Sequence, residues 1–293
     1  MTTTAPPAGP AVGDARLSAL HVLRSEWIKL RTLRSTWWCA ALIVVLSVLF
    51  GLLIAAFINR DGSTLPTAAQ DGDLVAVVTI GTSFTQLIAA VLGVLVISGE
   101  YGTGMIRSTF TAVPNRLPAV FAKLVVLAVS MVVVGLVAVA LTFAATAAIL
   151  SGHGIGARLG DAAVWMPIVG SAVYLALVAV LAFAVGALVR NTAGAISAAI
   201  GLLLVLPILL TVAIGLTQAT WLLNVNALLP SAAGAQLHAY AAPGGTVTGP
   251  GGRGPVQATA DVVLNGWGGL GVLVAWILVL LAPALVLIRR RDA

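Results

Sequence analysis

The chain has 293 residues, of which 60% are apolar and only 8% charged, against about 25% charged residues in a soluble domain. That composition excludes a soluble enzyme and points to an integral membrane protein. The net charge of +6 does not indicate nucleic acid binding, because the basic residues flank apolar runs instead of gathering on a polar domain.

Residues 1–13 are mainly Thr, Ala, Pro and Gly with no apolar period, and read as a disordered tail. Residues 14–36 differ. Leu17, Leu20, Leu23, Trp27, Leu30 and Leu33 recur every three or four positions, with Arg16, Arg24, Glu26, Lys29, Arg31 and Arg34 among them. This spacing predicts an amphipathic interfacial helix with Trp27 at headgroup level; a plain positive flank for the next span accounts for the same charges. The apolar run that follows exceeds a signal h-region of about 7–15 residues, so no cleaved leader is expected.

Six apolar runs fill residues 37–288: 37–58, 74–98, 119–150, 163–189, 193–216 and 268–288. Each approaches or exceeds the roughly 20 residues that a bilayer core of about 30 Å requires. A barrel would instead show alternating segments of about ten residues, which the sequence lacks. The expected fold is therefore all-α, a polytopic protein with six transmembrane helices. Pro118 suits a first helical turn, Asn191-Thr192 leaves room only for a tight turn, and Pro207 and Pro283 should kink their helices.

Lysines and arginines on alternate sides of these spans divide twelve against three. The larger set holds Lys29, Arg107, Arg116, Lys123, Arg190 and the basic tail 289–293, which predicts that both termini are cytoplasmic. Two outer loops hold Asp61, Asp71, Asp73 and Asp161, for which solvation is the economical explanation. The third, 217–267, carries Asp261 and is longer. It begins with an apolar stretch, Trp221 to Tyr240, suited to short interfacial or re-entrant helices. Its second part, Pro243 to Pro255, is rich in Gly and Pro and should be flexible.

The chemistry available inside the membrane is limited. An ionisable side chain at mid-bilayer costs about 2.5–3.5 kcal/mol and usually marks function. The six runs contain no Asp, Glu, His or Arg, and Lys123 is their only lysine. Ion-coupled transport, haem ligation and intramembrane zinc hydrolysis therefore lack their side chains. Ser47, Ser83, Ser130, Ser171 and Ser197 have no general base in the spans to make one a nucleophile. One cysteine, Cys39, and the scattered His21, His153 and His238 suggest neither a disulfide nor a metal site. Thr79, Thr82, Ser83 and Gln86 share one face of the second span, continued by Ala90 and Gly93; Gly194, Ser197 and Gly201 form a similar stripe on the fifth. Close helix packing explains both, and a substrate path lined by Thr79, Thr82, Ser83 and Gln86 is the sharper alternative.

The longest basic interval between spans is the loop 99–118, reading GEYGTGMIRSTFTAVPNRLP. Both lysines of the chain sit outside any Gly-Lys-Ser/Thr sequence, so no phosphate-binding loop exists. After the Gly-rich start, Met105, Ile106, Phe110 and Val113 can share one face of a short helix that Pro114 stops. Such a helix suits docking in a partner's groove or lying flat on the inner leaflet, held by Arg107 and Arg116.

These residues carry a resemblance. Ser25-Glu26-Trp27-Ile28-Lys29-Leu30-Arg31, with Arg34-Ser35-Thr36-Trp37-Trp38, resembles the start of ABC-2 type exporter permeases of high-GC Gram-positive bacteria. Glu100-Tyr101-x-x-Gly104-Met105-Ile106-Arg107 and Ala112-Val113-Pro114-x-Arg116 resemble their first cytoplasmic loop. The resemblance implies a permease subunit in the cell membrane, paired with a second permease copy or paralogue and driven by a separate ATP-binding cassette ATPase. ATP and magnesium would sit on that ATPase, with no cofactor on this chain. Glu100, Gly104, Met105, Arg107, Phe110, Pro114 and Arg116 map onto the coupling helix, residues 14–36 onto the connecting helix, and Trp221 to Tyr240 onto the exit gate. A non-transporting membrane anchor that recruits a cytoplasmic protein is the alternative.

Overall fold

The computed structural model describes residues 19–58, 64–103, 116–156, 160–241, 247–248 and 262–290. The expected tail 1–13, loop residues 104–115, most of the Gly/Pro-rich run 243–255 and residues 291–293 lie outside them. The fold is all-α with six helical stretches long and apolar enough to cross a membrane.

Helix α1, Ala19–Thr32, precedes α2, Arg34–Phe57, with Leu33 extended between them. Trp37 donates its indole N–H to the Arg31 carbonyl across that break at 2.8 Å. On α1 the buried positions are Val22, Glu26 and Leu30, one turn apart, while Leu20, Trp27 and Ile28 face outward. The helix is amphipathic as expected, but its inward stripe includes a carboxylate. On α2 the buried stripe is Cys39, Ile43, Ser47, Gly51 and Ala55, every fourth residue; Leu42, Val45, Leu49 and Leu53 are left for lipid.

The second span is two helices, α3 (Thr67–Thr79) and α4 (Thr82–Thr103), in one apolar stretch of 35 residues. It begins earlier than its apolar run, because Pro66 starts the helix and its carbonyl accepts the Ala69 N–H at 2.9 Å. Asp71, expected in a solvated outer loop, therefore sits on α3 and is buried. The third span is α5, Arg116–Gly152, and the fourth is α6, Ala162–Val189. Asp161, a second acidic residue read as merely solvated, caps α6 by accepting the Ala163 N–H at 2.9 Å. Pro167 lies inside α6 as well.

The fifth span is α7 (Thr192–Ile200), a π-turn at Gly201–Val205 and α8 (Leu206–Thr217). Pro207 has no N–H and would crowd the carbonyl four residues back. The preceding turn widens instead, and the Leu206 N–H reaches the Gly201 carbonyl. Two short helices follow, α9 (Thr220–Ala227) and α10 (Pro230–Ala235), then a two-residue antiparallel pair, β1 (Tyr240–Ala241) with β2 (Val247–Thr248). The sixth span is α11, Gly266–Arg290.

The centre of the bundle is α6, of which 72% is buried in its most apolar window, against 17% for the fifth span. Missing side chains let its neighbours approach. A Cβ on Gly93 of α4 would collide with the Ala179 backbone carbonyl of α6, and one on Gly135 of α5 with Ala172. The core around this contact includes Leu92, Ile97, Leu127, Met131, Tyr174 and Phe183. The small-residue stripe on the fifth span behaves differently. Its inward positions are Ala195 and Ala199, Ser197 is exposed, and a Cβ on Gly201 would meet nothing within 4 Å.

Candidate functional site: a buried ion cluster at the base of the loop

Three helices meet where α4 ends, each bringing a charged side chain into the protein. Glu26 comes from the inward stripe of α1, Glu100 from the last turns of α4, and Lys123 from the second turn of α5. All three are at most 8% exposed. Charges leave water only when paired, and here they are. The Lys123 ammonium donates to Glu26 Oε2 and to Glu100 Oε1, both at 2.5 Å. Lys29, one turn along α1, donates to Glu26 Oε1 at 2.8 Å and lies 3.6 Å from Glu100 Oε1. Two carboxylates and two ammonium groups balance.

Burial alone would pull the Lys29 pKa down, but the carboxylates of Glu26 and then Glu100 outweigh it and hold it above the usual lysine value. A cavity of about 300 Å³ opens beside the cluster, lined by Lys29, Leu33, Val96, Gly99 and Val126 besides the three buried charges. Glu100 Oε2 has no partner among the described residues. In such a cluster no single charge moves alone, because separation would leave its partner unpaired in a poorly solvated place. The arrangement therefore locks α1, the base of the loop and α5 into one mechanical unit.

Of the loop residues singled out from sequence, Glu100 stands in this cluster. Gly104, Met105, Arg107, Phe110 and Pro114 lie outside the described residues, and Arg116 opens α5 with its side chain undescribed. On α1, Glu26 and Lys29 join the cluster, while Trp27 and Arg31 are exposed. Thr79, Thr82 and Gln86 are buried within the chain and Ser83 partly so. Thr79 donates to the Val75 carbonyl at 2.8 Å, and the Gln86 amide to the Ser83 carbonyl at 2.8 Å. Gln86 Oε1 accepts the Tyr174 hydroxyl. Sequence reasoning missed Lys123 as a participant. The available signal was its being the one charge of the third run, near the same end as the lone acid of α1.

At the opposite end α10 and the residues after it pack against both α6 and α11, while α9 lies against α8. A Cβ on Gly170 would collide with the Leu237 carbonyl, one on Gly234 with the Tyr174 ring, and one on Gly269 with the Ala233 carbonyl. Trp276 donates to the Leu228 carbonyl at 2.9 Å. His238, just after α10, is 2% exposed with its ring 5.4 Å from that of Tyr174. Burial lowers its pKa from 6.5 to about 4. The folded state thus binds this proton less readily than the unfolded chain, so the stability present above pH 6.5 is lost as pH falls through about 4. Melting temperature should drop across that window in the wild type and drop less in His238→Gln. Parallel acid profiles for the two proteins would contradict the burial.

Apolar spans with charge confined to their ends, and a charged cluster at the base of one loop, define a polytopic membrane protein. The family model described as "ABC-2 family transporter protein" matches residues 20–293. The chain belongs to that family, and is the membrane permease component of an ABC transporter. Comparison with curated proteins finds no match.

Proposed function

We propose that this chain is the membrane-spanning half of an ATP-driven exporter in the cell membrane, powered through loop 99–118 by a separate ATPase subunit. The observation that carries the reading is the buried cluster of Glu26, Lys29, Glu100 and Lys123. It fastens the base of that loop to two further helices, as a lever needs. The excess of basic residues on this side supports a cytoplasmic position for it and for both termini. Partner closure would press on Met105, Phe110 and their neighbours, and the cluster would carry the displacement into α1 and α5. A partner that contacts two states differently is what such a switch requires.

The outward stripe of Gly194, Ser197 and Gly201 supports a second permease copy packed against the fifth span. The α9–α10 segment, whose second helix packs on α6 and α11, would be the part that yields to let cargo leave. Spans without mid-depth charge favour a hydrophobic or amphipathic cargo, and the resemblance to exporter permeases gives it an outward direction.

The test is reconstitution with the co-purified ATPase. Glu100→Ala and Arg107→Glu should insert normally and leave ATP hydrolysis running while net transport falls to background. Full transport by both variants would remove the loop from the mechanism. An ATPase that never associates would remove the permease reading itself.

A further inference from the structure

The residue after Glu100 is held from another side. Tyr101 lies under the guanidinium of Arg190, whose Cζ is 5.4 Å from the ring centroid. Arg190 follows the last residue of α6 and donates through an Nη to the Leu287 carbonyl of α11 at 3.2 Å. That carbonyl lies in the last described turn of α11, where a cation suits the helix dipole. Arg190 does this from a left-handed backbone, φ 56°, in a position where helices commonly place glycine. Only Arg190 and Gln218 among the described non-glycine residues have positive φ. A strained conformation persists where surrounding contacts hold it, and here the contacts are the ring of α4 and the end of α11.

We propose that Arg190 is a second positioning residue for the driven loop, coupling its base to the sixth span. The proposal rests on the permease reading above. Successive helical residues point about 100° apart, so Glu100 and Tyr101 grip different neighbours. Glu100 engages α1 and α5 through Lys123, and Tyr101 engages the α6–α7 turn and α11 through Arg190. A pull on the loop is thereby divided between two sets of helices. The two arms differ in kind. The Glu100 arm is a buried, charge-balanced cluster, whereas the Tyr101 arm is a cation over a ring and one hydrogen bond.

The experiment uses the permease–ATPase complex in lipid nanodiscs with paired spin labels in a Cys39→Ser background. One pair, Leu53→Cys with Val286→Cys, reports the α11 end; the other, Leu53→Cys with Ile28→Cys, reports α1. All three labelled positions are exposed. ATP with vanadate should shift both distances in the wild type. Arg190→Gly should abolish the α11 shift and spare the α1 shift. Its melting temperature should hold or rise, because glycine is at ease at this φ. Tyr101→Leu should reproduce the same split without touching the backbone, and the double variant should add nothing to either single one.

Both shifts surviving in Arg190→Gly would overturn the proposal. So would the loss of both, or a fall in melting temperature that accounts for the loss, since either would make Arg190 merely structural. A wild-type complex that shifts at neither pair would overturn the permease reading, and this inference with it.

Discussion

Replacing Lys123 by methionine should lower the unfolding free energy by about 3–5 kcal/mol, the usual consequence of removing one partner from a buried ion pair. Lys123 is the buried ammonium that bonds both Glu26 and Glu100, each at 2.5 Å. Without it two carboxylates remain in an almost dry place, with only Lys29, about a third exposed, to answer them. The attraction Lys29 offers is weakened by water and salt. The triple variant Glu26→Gln, Glu100→Gln, Lys123→Met should regain most of the loss, because it leaves no buried charge unpaired. Thermal unfolding in detergent, followed by tryptophan fluorescence, measures both. A Lys123→Met protein that melts like the wild type would mean that water already reaches these groups. The triple variant should fold well and yet transmit poorly, which separates stability from the lever.

Gly93→Leu should destabilise the bundle by about 1–3 kcal/mol or more, as overpacking of a tight core does. Any Cβ there meets the Ala179 backbone carbonyl, which cannot swing away as a flexible side chain would. Relief requires α4 and α6 to separate, and α6 is the helix around which the others pack. Gly201→Ala supplies the contrast. Its new methyl finds no neighbour within 4 Å among the described residues, so its stability should be unchanged or gain about 0.5–1 kcal/mol from the lower backbone entropy of the unfolded state. Equal effects at the two glycines would show that neither reports a specific helix contact.

The spans were legible because a bilayer sets both length and polarity, and few other solutions satisfy 20 or more consecutive apolar residues. The amphipathic α1 was legible from its period, and Gly93 from its place on a small-residue face. Which side of α1 faces inward was not. Glu26 looks like a surface charge until its partner, 97 residues away, is placed beside it; no local pattern encodes a pairing at that separation. Asp71 was misplaced for a related reason. The apolar run begins after it, but a helix end is set by backbone capping at Pro66 and not by the first hydrophobic residue. Arg190 gave a turn signal through its neighbour Asn191, which accepts the Gly194 N–H at 2.9 Å. Its reach to Tyr101 and Leu287 depends on how three helices converge, and that is tertiary information.

The widened turn before Pro207 also decides which way the fifth span looks. A π-turn holds one residue more than the α-helical turn it replaces, and it takes that residue up without the further rotation of about 100° that a residue of a plain helix adds. The exposed Ser197 and Leu209 therefore stay on one side of the strut. Deleting a single residue from Leu202–Leu204 would restore a plain helix and leave the exposed sides aligned, whereas closing the turn without a deletion would swing one half about 100° away from the other.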